Sequence, residues 1–253
     1  MKMKQSKRLI FKVDGLEKKY GDYNALNLKK LEIHPGTIYG VIGTVGSGKT
    51  TFLNLLGGLE KQSSGTILYE NNPYERNWYG KIIPKDDLFY VGDLRKNSPN
   101  KTVSSYIADK FGKKRKVIAN RYFNDGSFKN LLYRTIKNIS DAEANWLSMI
   151  LAIEADPRVL LIDDYGTYFN GKMEKEFRAK IIKMNRNLGT TIILTAPSDI
   201  NIKHFASVLI FLDHGHIWKI RSGNVRPTNN NRFNTKKRGN SRGGHNRRNR
   251  KAN

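Results

Sequence analysis

The segment that decides the fold runs from residue 38 to residue 50 and reads Ile-Tyr-Gly-Val-Ile-Gly-Thr-Val-Gly-Ser-Gly-Lys-Thr. Its first five residues predict a buried strand, and a helical pattern begins at Lys49. Residues 43–50 fit G-x-x-x-x-G-K-[ST], a loop whose backbone N–H groups turn inward around phosphate oxygens at the positive end of a helix. The sequence therefore predicts a phosphate-binding loop. A glycine-rich helix cap without a ligand is the alternative, and it leaves Lys49 unexplained.

Each position of this loop has an expected part in binding. Lys49 is expected to reach the terminal phosphates, and Thr50 to offer its hydroxyl to Mg²⁺. The predicted nucleotide-contacting residues of the loop are Gly43, Thr44, Val45, Gly46, Ser47, Gly48, Lys49, Thr50 and Thr51.

A second segment supplies the acid that such a site needs. Residues 159–162 are apolar, and Asp163 and Asp164 follow them directly. Alone, this pattern is typical of any strand that ends in an acidic turn. Together with the loop it indicates that Asp163 is a ligand of Mg²⁺, directly or through water. A guanine-specific site is disfavoured, because the nearest N-K-x-D candidate, at residues 100–103, lacks its aspartate.

The rest of the chain places these segments in an α/β domain. Short β-branched runs at 37–42, 159–162 and 191–194 alternate with helical patterns, which predicts a P-loop NTPase fold with a mostly parallel, buried sheet. Between about 95 and 155 the β-branched runs vanish, so we expect an inserted helical subdomain there. Residues 213–217 predict a closing antiparallel hairpin. We expect the domain to span residues 1–220.

Composition and charge exclude several classes. The 46 Lys and Arg residues exceed the 22 Asp and Glu residues, which gives a net charge of +24. Zero cysteines exclude disulfides and thiolate metal sites. The sequence has neither a transmembrane run nor the apolar region of a signal peptide, so we expect a cytoplasmic protein.

Residues 221–253, here called the basic tail, carry eleven Lys and Arg residues and no acid. With nine asparagines and few apolar residues, the tail is expected to be disordered. Its charge would attract anionic lipid or nucleic acid, or would merely keep the protein soluble.

Further motifs resemble those of ATP-binding cassette (ABC) ATPases of the transporter type, over about residues 9–220. They are residues 16–21 (LEKKYG), 57–59 (GGL), 64–67 (SGTI) and 155–157 (ADP), the last before the acidic segment. The resemblance implies that ATP and Mg²⁺ are the cofactors and that Tyr20 stacks on adenine. It also implies two partners: a separate membrane-spanning subunit, and a second ABC ATPase in a homo- or heterodimer.

Four departures from the family pattern concern hydrolysis. The family's catalytic glutamate is replaced by Asp164, one methylene shorter, and its switch histidine by Pro197 and Ser198. Asp93 stands at the position of the family's glutamine that links the nucleotide to the helical subdomain, and its carboxylate is a candidate Mg²⁺ ligand. The signature stretch falls on residues 139–143, of which only the serine matches. We therefore expect Lys49 and Asp164 to be the catalytic residues and hydrolysis to be slow or absent.

The stretch at 139–143 also has a purely structural interpretation. Ser140 and Glu143 have the spacing of a capping box that starts an amphipathic helix. In a dimer, Asp141 would instead place negative charge near the partner's nucleotide. Two functions remain open: a nucleotide-binding transport subunit at the inner face of the membrane, or a nucleotide-sensing regulatory or nucleic-acid-associated module outside transport.

Overall fold

The computed structural model describes residues 8–92, 99–124 and 126–225. The strands in these ranges are β1 (Phe11–Tyr20), β2 (Tyr23–Ile33), β3 (Ile38–Ile42), β4 (Ser64–Tyr69), β5 (Asn72–Pro73), β6 (Leu88–Val91), β7 (Val159–Ile162), β8 (Thr191–Ala196), β9 (Val208–Asp213) and β10 (His216–Ser222). The helices are α1 (Lys49–Leu56), α2 (Val103–Phe111), α3 (Arg115–Tyr122), α4 (Asp141–Ala155) and α5 (Gly171–Leu188). Three short 3-10 segments lie at 112–114, 126–133 and 136–138.

The strands form two sheets. The larger sheet has the order β10-β9-β3-β8-β7-β6. Adjacent strands in it are parallel, except that β9 and β10 are antiparallel. The smaller sheet, β2-β1-β4-β5, is antiparallel. The predicted fold class, a P-loop NTPase with a mostly parallel sheet and added antiparallel strands, is confirmed.

Alternation along the central strands explains why both faces of the larger sheet are covered. In β3, Ile38 and Ile42 belong to one hydrophobic cluster, which includes the helices between β6 and β7, while Tyr39 and Val41 belong to the other. The second cluster lies between the two sheets and includes Phe52 of α1, which is 1% exposed. Truncating such a phenylalanine to alanine costs about 3–5 kcal/mol. The strands of a parallel sheet that is covered on both faces are apolar at nearly every position, as β3 and β7 are here.

The predicted local signals occur where they were expected. The first helix begins at Lys49, and β9 and β10 form the closing hairpin around Gly215. Helix α4 begins with the predicted capping box: the Ser140 hydroxyl accepts from the Glu143 N–H, and the Glu143 carboxylate accepts from the Ser140 N–H. The described chain between β6 and β7 contains α2, α3, α4 and the 3-10 segments.

The last strand ends at Ser222, and the described chain ends at Val225. The disorder expected of the basic tail is therefore wrong for Arg221 and Ser222, whose backbone pairs with β9, and the strand extends two residues beyond the expected domain end at residue 220. Residues 226–253 of the tail lie outside the described part. Within the described ranges, no helix is long and apolar enough to cross a bilayer.

Candidate nucleotide-binding site

Strand order brings the two predicted segments together. Parallel strands end at the same edge of a sheet, and ligands of α/β proteins bind in the crevice beyond that edge. The loop after β3 and the acids after β7 lie on either side of β8, which pairs with both strands. The site is thus built around the end of β8, where Thr195 is fully buried.

The loop is shaped for phosphate. Gly48, the residue before α1, has a φ of 97°, and a Cβ atom there would lie 2.6 Å from the carbonyl oxygen of Ala25, so glycine is required. Lys49 is 7% exposed, and its ammonium group donates to the carbonyl oxygens of Gly43 and Thr44, at 2.9 Å each.

The Ser47 hydroxyl is buried and has no hydrogen-bond partner among the described residues. A buried polar atom without a partner is rare and costly, and a phosphate oxygen would satisfy it. The other predicted loop residues lie around this cradle. Thr44, Val45 and Gly46 form its exposed tip. Thr50 lines a groove that also contains the acids, and Thr51 lines a smaller cleft beside Tyr20.

Asp163 is held by two hydroxyl groups. Thr195 Oγ1 donates to Asp163 Oδ1 at 2.8 Å, and the Tyr90 hydroxyl donates to Oδ2 at 3.3 Å. Thr195 Oγ1 also accepts from the backbone N–H of Asp164 at 2.8 Å. One threonine therefore fixes both acids, and Asp163 keeps an orientation suited to a hard cation.

Asp164 lies at the rim of the groove in a left-handed backbone conformation, with a φ of 49°. Partial burial raises the pKa of its carboxyl group, the neighbouring charge of Asp163 raises it further, and Lys49 opposes both effects. A raised pKa makes the Asp164 carboxylate more basic than that of an ordinary aspartate. Its side chain is nevertheless shorter than a glutamate's.

A groove of about 710 Å³ runs from the loop past the acids to the start of α4. Thr50, Asp163 and Asp164 line one part of it, and Asp141 and Asn145 line another. A hydroxyl and a carboxylate on one polar groove fit Mg²⁺ when phosphate oxygens complete the ligand set. The described residues contain no group of three His, Cys, Asp or Glu side chains that holds a metal alone, and Asp93 lies outside the described residues.

The predicted adenine side is a smaller cleft of about 180 Å³ beside the loop, lined by Tyr20, Tyr23 and Thr51 among others. Tyr20 is 46% exposed, and the Lys18 ammonium lies 4.8 Å from the centroid of its ring. The Tyr20 hydroxyl donates to Glu60. Burial, together with this bond, raises the pKa of Tyr20 to about 12. The ring is thereby fixed beside the loop.

The other two predicted departures fall directly after β8 and at the start of α4. Pro197 and Ser198 follow β8 as exposed residues, and neither side chain offers an imidazole. At the start of α4, the Ser140 hydroxyl also donates to Glu143, at 2.9 Å, and the Glu143 carboxylate pairs with Arg134 at 2.7 Å. The serine that survives from the signature is engaged within its own chain.

Sequence reasoning missed Tyr90, Thr195 and Tyr23. Tyr90 and Thr195 read as ordinary residues of buried strands, and only the parallel register places their hydroxyls at Asp163. Tyr23 pairs with Tyr20 across the β1–β2 turn, and its hydroxyl donates to the Gly46 carbonyl at 3.3 Å. The sequence signal that could have revealed Tyr23 is the pair of tyrosines on either side of Gly21 and Asp22.

Comparison with known proteins identifies the family of this chain. The family model described as "ABC transporter" matches residues 26–165. The sulfate/thiosulfate import ATP-binding protein CysA of Mesostigma viride is 27% identical over 219 residues, which are 82% of this chain and 60% of that protein. The lantibiotic transport ATP-binding protein SrtF of Streptococcus pyogenes is 25% identical over 214 residues, 82% of this chain and 89% of that protein.

Solved structures show the same fold. A dimeric bacterial ABC transporter cassette matches with a TM-score of 0.69 at 21% identity, covering 84% of this chain and 98% of that one. The cbiO1 protein of Clostridium perfringens matches with a TM-score of 0.65 at 20% identity, covering 86% of this chain and 89% of that one.

Proposed function

Because the chain belongs to the ABC transporter family, we propose that it is the nucleotide-binding subunit of a transport complex and binds ATP with Mg²⁺. The observation that carries the proposal is the phosphate loop. Its buried lysine bonds two loop carbonyls, and the Ser47 hydroxyl beside them lacks a partner. In the proposed complex, Lys49 leaves these carbonyls for the terminal phosphates, and Ser47 gains a phosphate oxygen.

Mg²⁺, when bound, would neutralise phosphate charge. Of this chain's own residues, Thr50 and Asp163 would hold it, and Tyr90 and Thr195 would keep the Asp163 carboxylate in place. Tyr20 and Tyr23 would form the wall against adenine.

We propose further that hydrolysis by this chain is slow or absent. Asp164 would accept a proton from the attacking water, but its carboxylate ends about 1 Å or more short of a glutamate's. A displacement of 1 Å can cost on the order of a hundredfold in rate. Pro197 and Ser198, the residues directly after β8, offer no imidazole, and the Ser140 hydroxyl is committed to Glu143. These features would impair both the site on this chain's loop and the site that its signature stretch completes in a partner.

The partners follow from the same proposal. A separate membrane-spanning subunit would form the pathway, and this chain would lie at the inner face of the membrane. A second ABC ATPase would pair with it. A homodimer would combine two impaired sites, whereas a heterodimer with an unaltered partner would still have a shortened base at one site and a degraded signature at the other.

The test is a titration of the purified full chain with ATP and Mg²⁺ that records affinity and phosphate release together. We expect saturable binding with little or no release. Steady release that Asp164→Asn abolishes would contradict the proposed impairment, and the absence of binding would contradict the nucleotide site.

Transport is tested separately, by co-expression with the polytopic membrane protein encoded nearest to this chain's gene. We expect a complex that survives purification in detergent. Failure to assemble with ATP present would favour a nucleotide-sensing module outside transport.

A further inference from the structure

Glu60 lies in the connection between α1 and β4, and its carboxylate is bonded to three side chains on two other elements. The Tyr20 hydroxyl, at the end of β1, donates to Oε2, and Asn54 Nδ2, on α1, donates to Oε1 at 2.8 Å. The Lys18 ammonium, also on β1, lies 3.3 Å from Oε2. One carboxylate therefore joins the end of β1 to the helix that begins at the phosphate loop.

The backbone and the charge of Glu60 are themselves fixed. The Asn54 carbonyl accepts from the backbone N–H of Leu59 at 2.9 Å and from that of Glu60 at 3.4 Å, so the connection folds back onto the end of α1. Partial burial raises the pKa of Glu60, but the bonds from Tyr20, Asn54 and Lys18 outweigh it and hold the pKa below its ordinary value. The ionised carboxylate has only acceptor sites, which suits its three donors.

The Tyr20 ring is only half buried, so its orientation depends on the bond to Glu60. A half-exposed side chain without a fixed partner exchanges between rotamers, and a ligand that must immobilise it loses binding free energy. The Lys18 ammonium that lies over the ring is held on the same side, because it also donates to the Lys61 carbonyl at 2.9 Å. The bonded hydroxyl and the held ammonium together preorganise the ring before any ligand arrives.

Helix α1 relates this ring to the phosphate cradle. Asn54, which holds Glu60, follows Lys49 by five residues on the same helix, so the cradle and the ring are tied to one rigid element. We propose that Glu60 is a positioning residue for the nucleotide base, which acts through Tyr20 by keeping its ring in the orientation that stacks on adenine. The inference rests on the proposed function, because it requires ATP to bind at this loop with its base against Tyr20.

The experiment compares the affinities of the full chain for ATP and for inorganic tripolyphosphate, which has no base, by calorimetry with Mg²⁺. Glu60→Ala is expected to weaken ATP binding about 3- to 10-fold and to leave tripolyphosphate binding unchanged. Glu60→Gln, which keeps an oxygen for the Tyr20 hydroxyl, is expected to retain most of the ATP affinity. The matched control is Glu17→Ala on β1.

The two glutamates are alike in exposure but differ in their partners. Their side chains are 33% exposed for Glu17 and 28% for Glu60, and the Glu17 carboxylate accepts from Ser64 at 3.0 Å and from Asn27 at 3.4 Å. Both alanine variants lose hydrogen bonds, so both are expected to lower the unfolding temperature. Only Glu60→Ala is expected to change the ratio of ATP affinity to tripolyphosphate affinity, which a merely structural role would leave constant.

A double-mutant cycle tests whether Glu60 acts through the tyrosine. Tyr20→Phe keeps the ring and removes the hydroxyl, so it is expected to weaken ATP binding as Glu60→Ala does, and the double variant is expected to lose no more than either alone. Losses that multiply in the double variant, or an unchanged affinity ratio in Glu60→Ala, would overturn the inference while leaving the nucleotide site intact. Binding of neither ligand by the unaltered chain would instead overturn the proposed nucleotide site, and the inference with it.

Discussion

The loop after β3 and the chain after β7 and β8 face the same groove but differ in what they keep of the family pattern. The loop has every residue that phosphate binding needs, including a glycine that no other residue can replace at position 48. On the other side, Asp163 remains, but Asp164 replaces a glutamate and Pro197 a histidine. In the function proposed above, the groove therefore retains its means of binding nucleotide, while the proton acceptor is shortened at Asp164 and the histidine is replaced at Pro197.

The proposed function therefore assigns nucleotide binding and nucleotide turnover to different parts of one site. Binding rests on backbone geometry and one buried lysine, which are set within a single loop. Turnover depends on side chains placed to better than 1 Å at the ends of two other strands. Substitutions in the phosphate loop should consequently change the affinity for nucleotide. Substitutions after β7 and β8 should change the rate of phosphate release.

The largest effect is expected from Lys49→Ala. The variant loses a charge-assisted contact to the terminal phosphates, and the Gly43 and Thr44 carbonyls lose their donor. We expect the Kd for ATP, measured by calorimetry, to rise by about 100-fold. Lys61→Ala is the control, because Lys61 lines the same groove but is exposed. An equal loss in both variants would mean that general positive charge, and not the loop, binds the nucleotide.

Asp164→Glu tests the residue after β7 that is proposed to accept the proton. Restoring the longer carboxylate is expected to raise steady phosphate release by about 10- to 100-fold while leaving the Kd for ATP unchanged. No gain in the variant would place the main defect elsewhere, at Pro197 or in the signature stretch.

The pH dependence of any residual release provides a second measurement on Asp164. Burial and the charge of Asp163 raise the pKa of Asp164, so this carboxyl group takes up its proton at a higher pH than an ordinary aspartate. The rate of phosphate release should therefore fall as the pH is lowered. The pH at half of the maximal rate should lie above the ordinary aspartate pKa of about 3.9. A midpoint at or below that value would contradict a role for Asp164 as the proton acceptor.

Thr195→Val tests the residue that joins the two acids. The change removes the donor to Asp163 and leaves the Asp164 N–H without its acceptor. The Mg²⁺ concentration at half-maximal ATP binding should rise about 5- to 20-fold, while ATP affinity in EDTA stays constant. Unfolding free energy should fall by about 1–3 kcal/mol. Thr191→Val on the same strand is the control, since Thr191 Oγ1 accepts from the Gly36 N–H at 3.0 Å, far from the acids. It should lower stability without changing the Mg²⁺ requirement.

The loop and the strands around it could be predicted because they are encoded locally. The glycines, Lys49 and the apolar runs are contiguous in sequence, and the capping box of Ser140 and Glu143 needs only four residues. The support for Asp163 could not be found in this way. Tyr90 precedes Asp163 by 73 residues and Thr195 follows it by 32, so their contacts exist only once β6, β7 and β8 are in register. Single-residue patterns cannot encode such a pairing.

The smallest effect is expected from Tyr90→Phe, which removes one hydrogen bond and almost no volume. The bond to Asp163 Oδ2 is long, at 3.3 Å, and a single hydrogen bond contributes about 0.5–1.5 kcal/mol. The Mg²⁺ requirement should rise about two- to fivefold, with ATP affinity in EDTA unchanged. Tyr69→Phe is the control, because it removes another tyrosine–aspartate bond, from Tyr69 to Asp87 at 2.7 Å, outside the nucleotide groove. A lower Mg²⁺ requirement in Tyr90→Phe would reverse the interpretation: the hydroxyl would then compete with the ion for Oδ2 and would not orient the carboxylate.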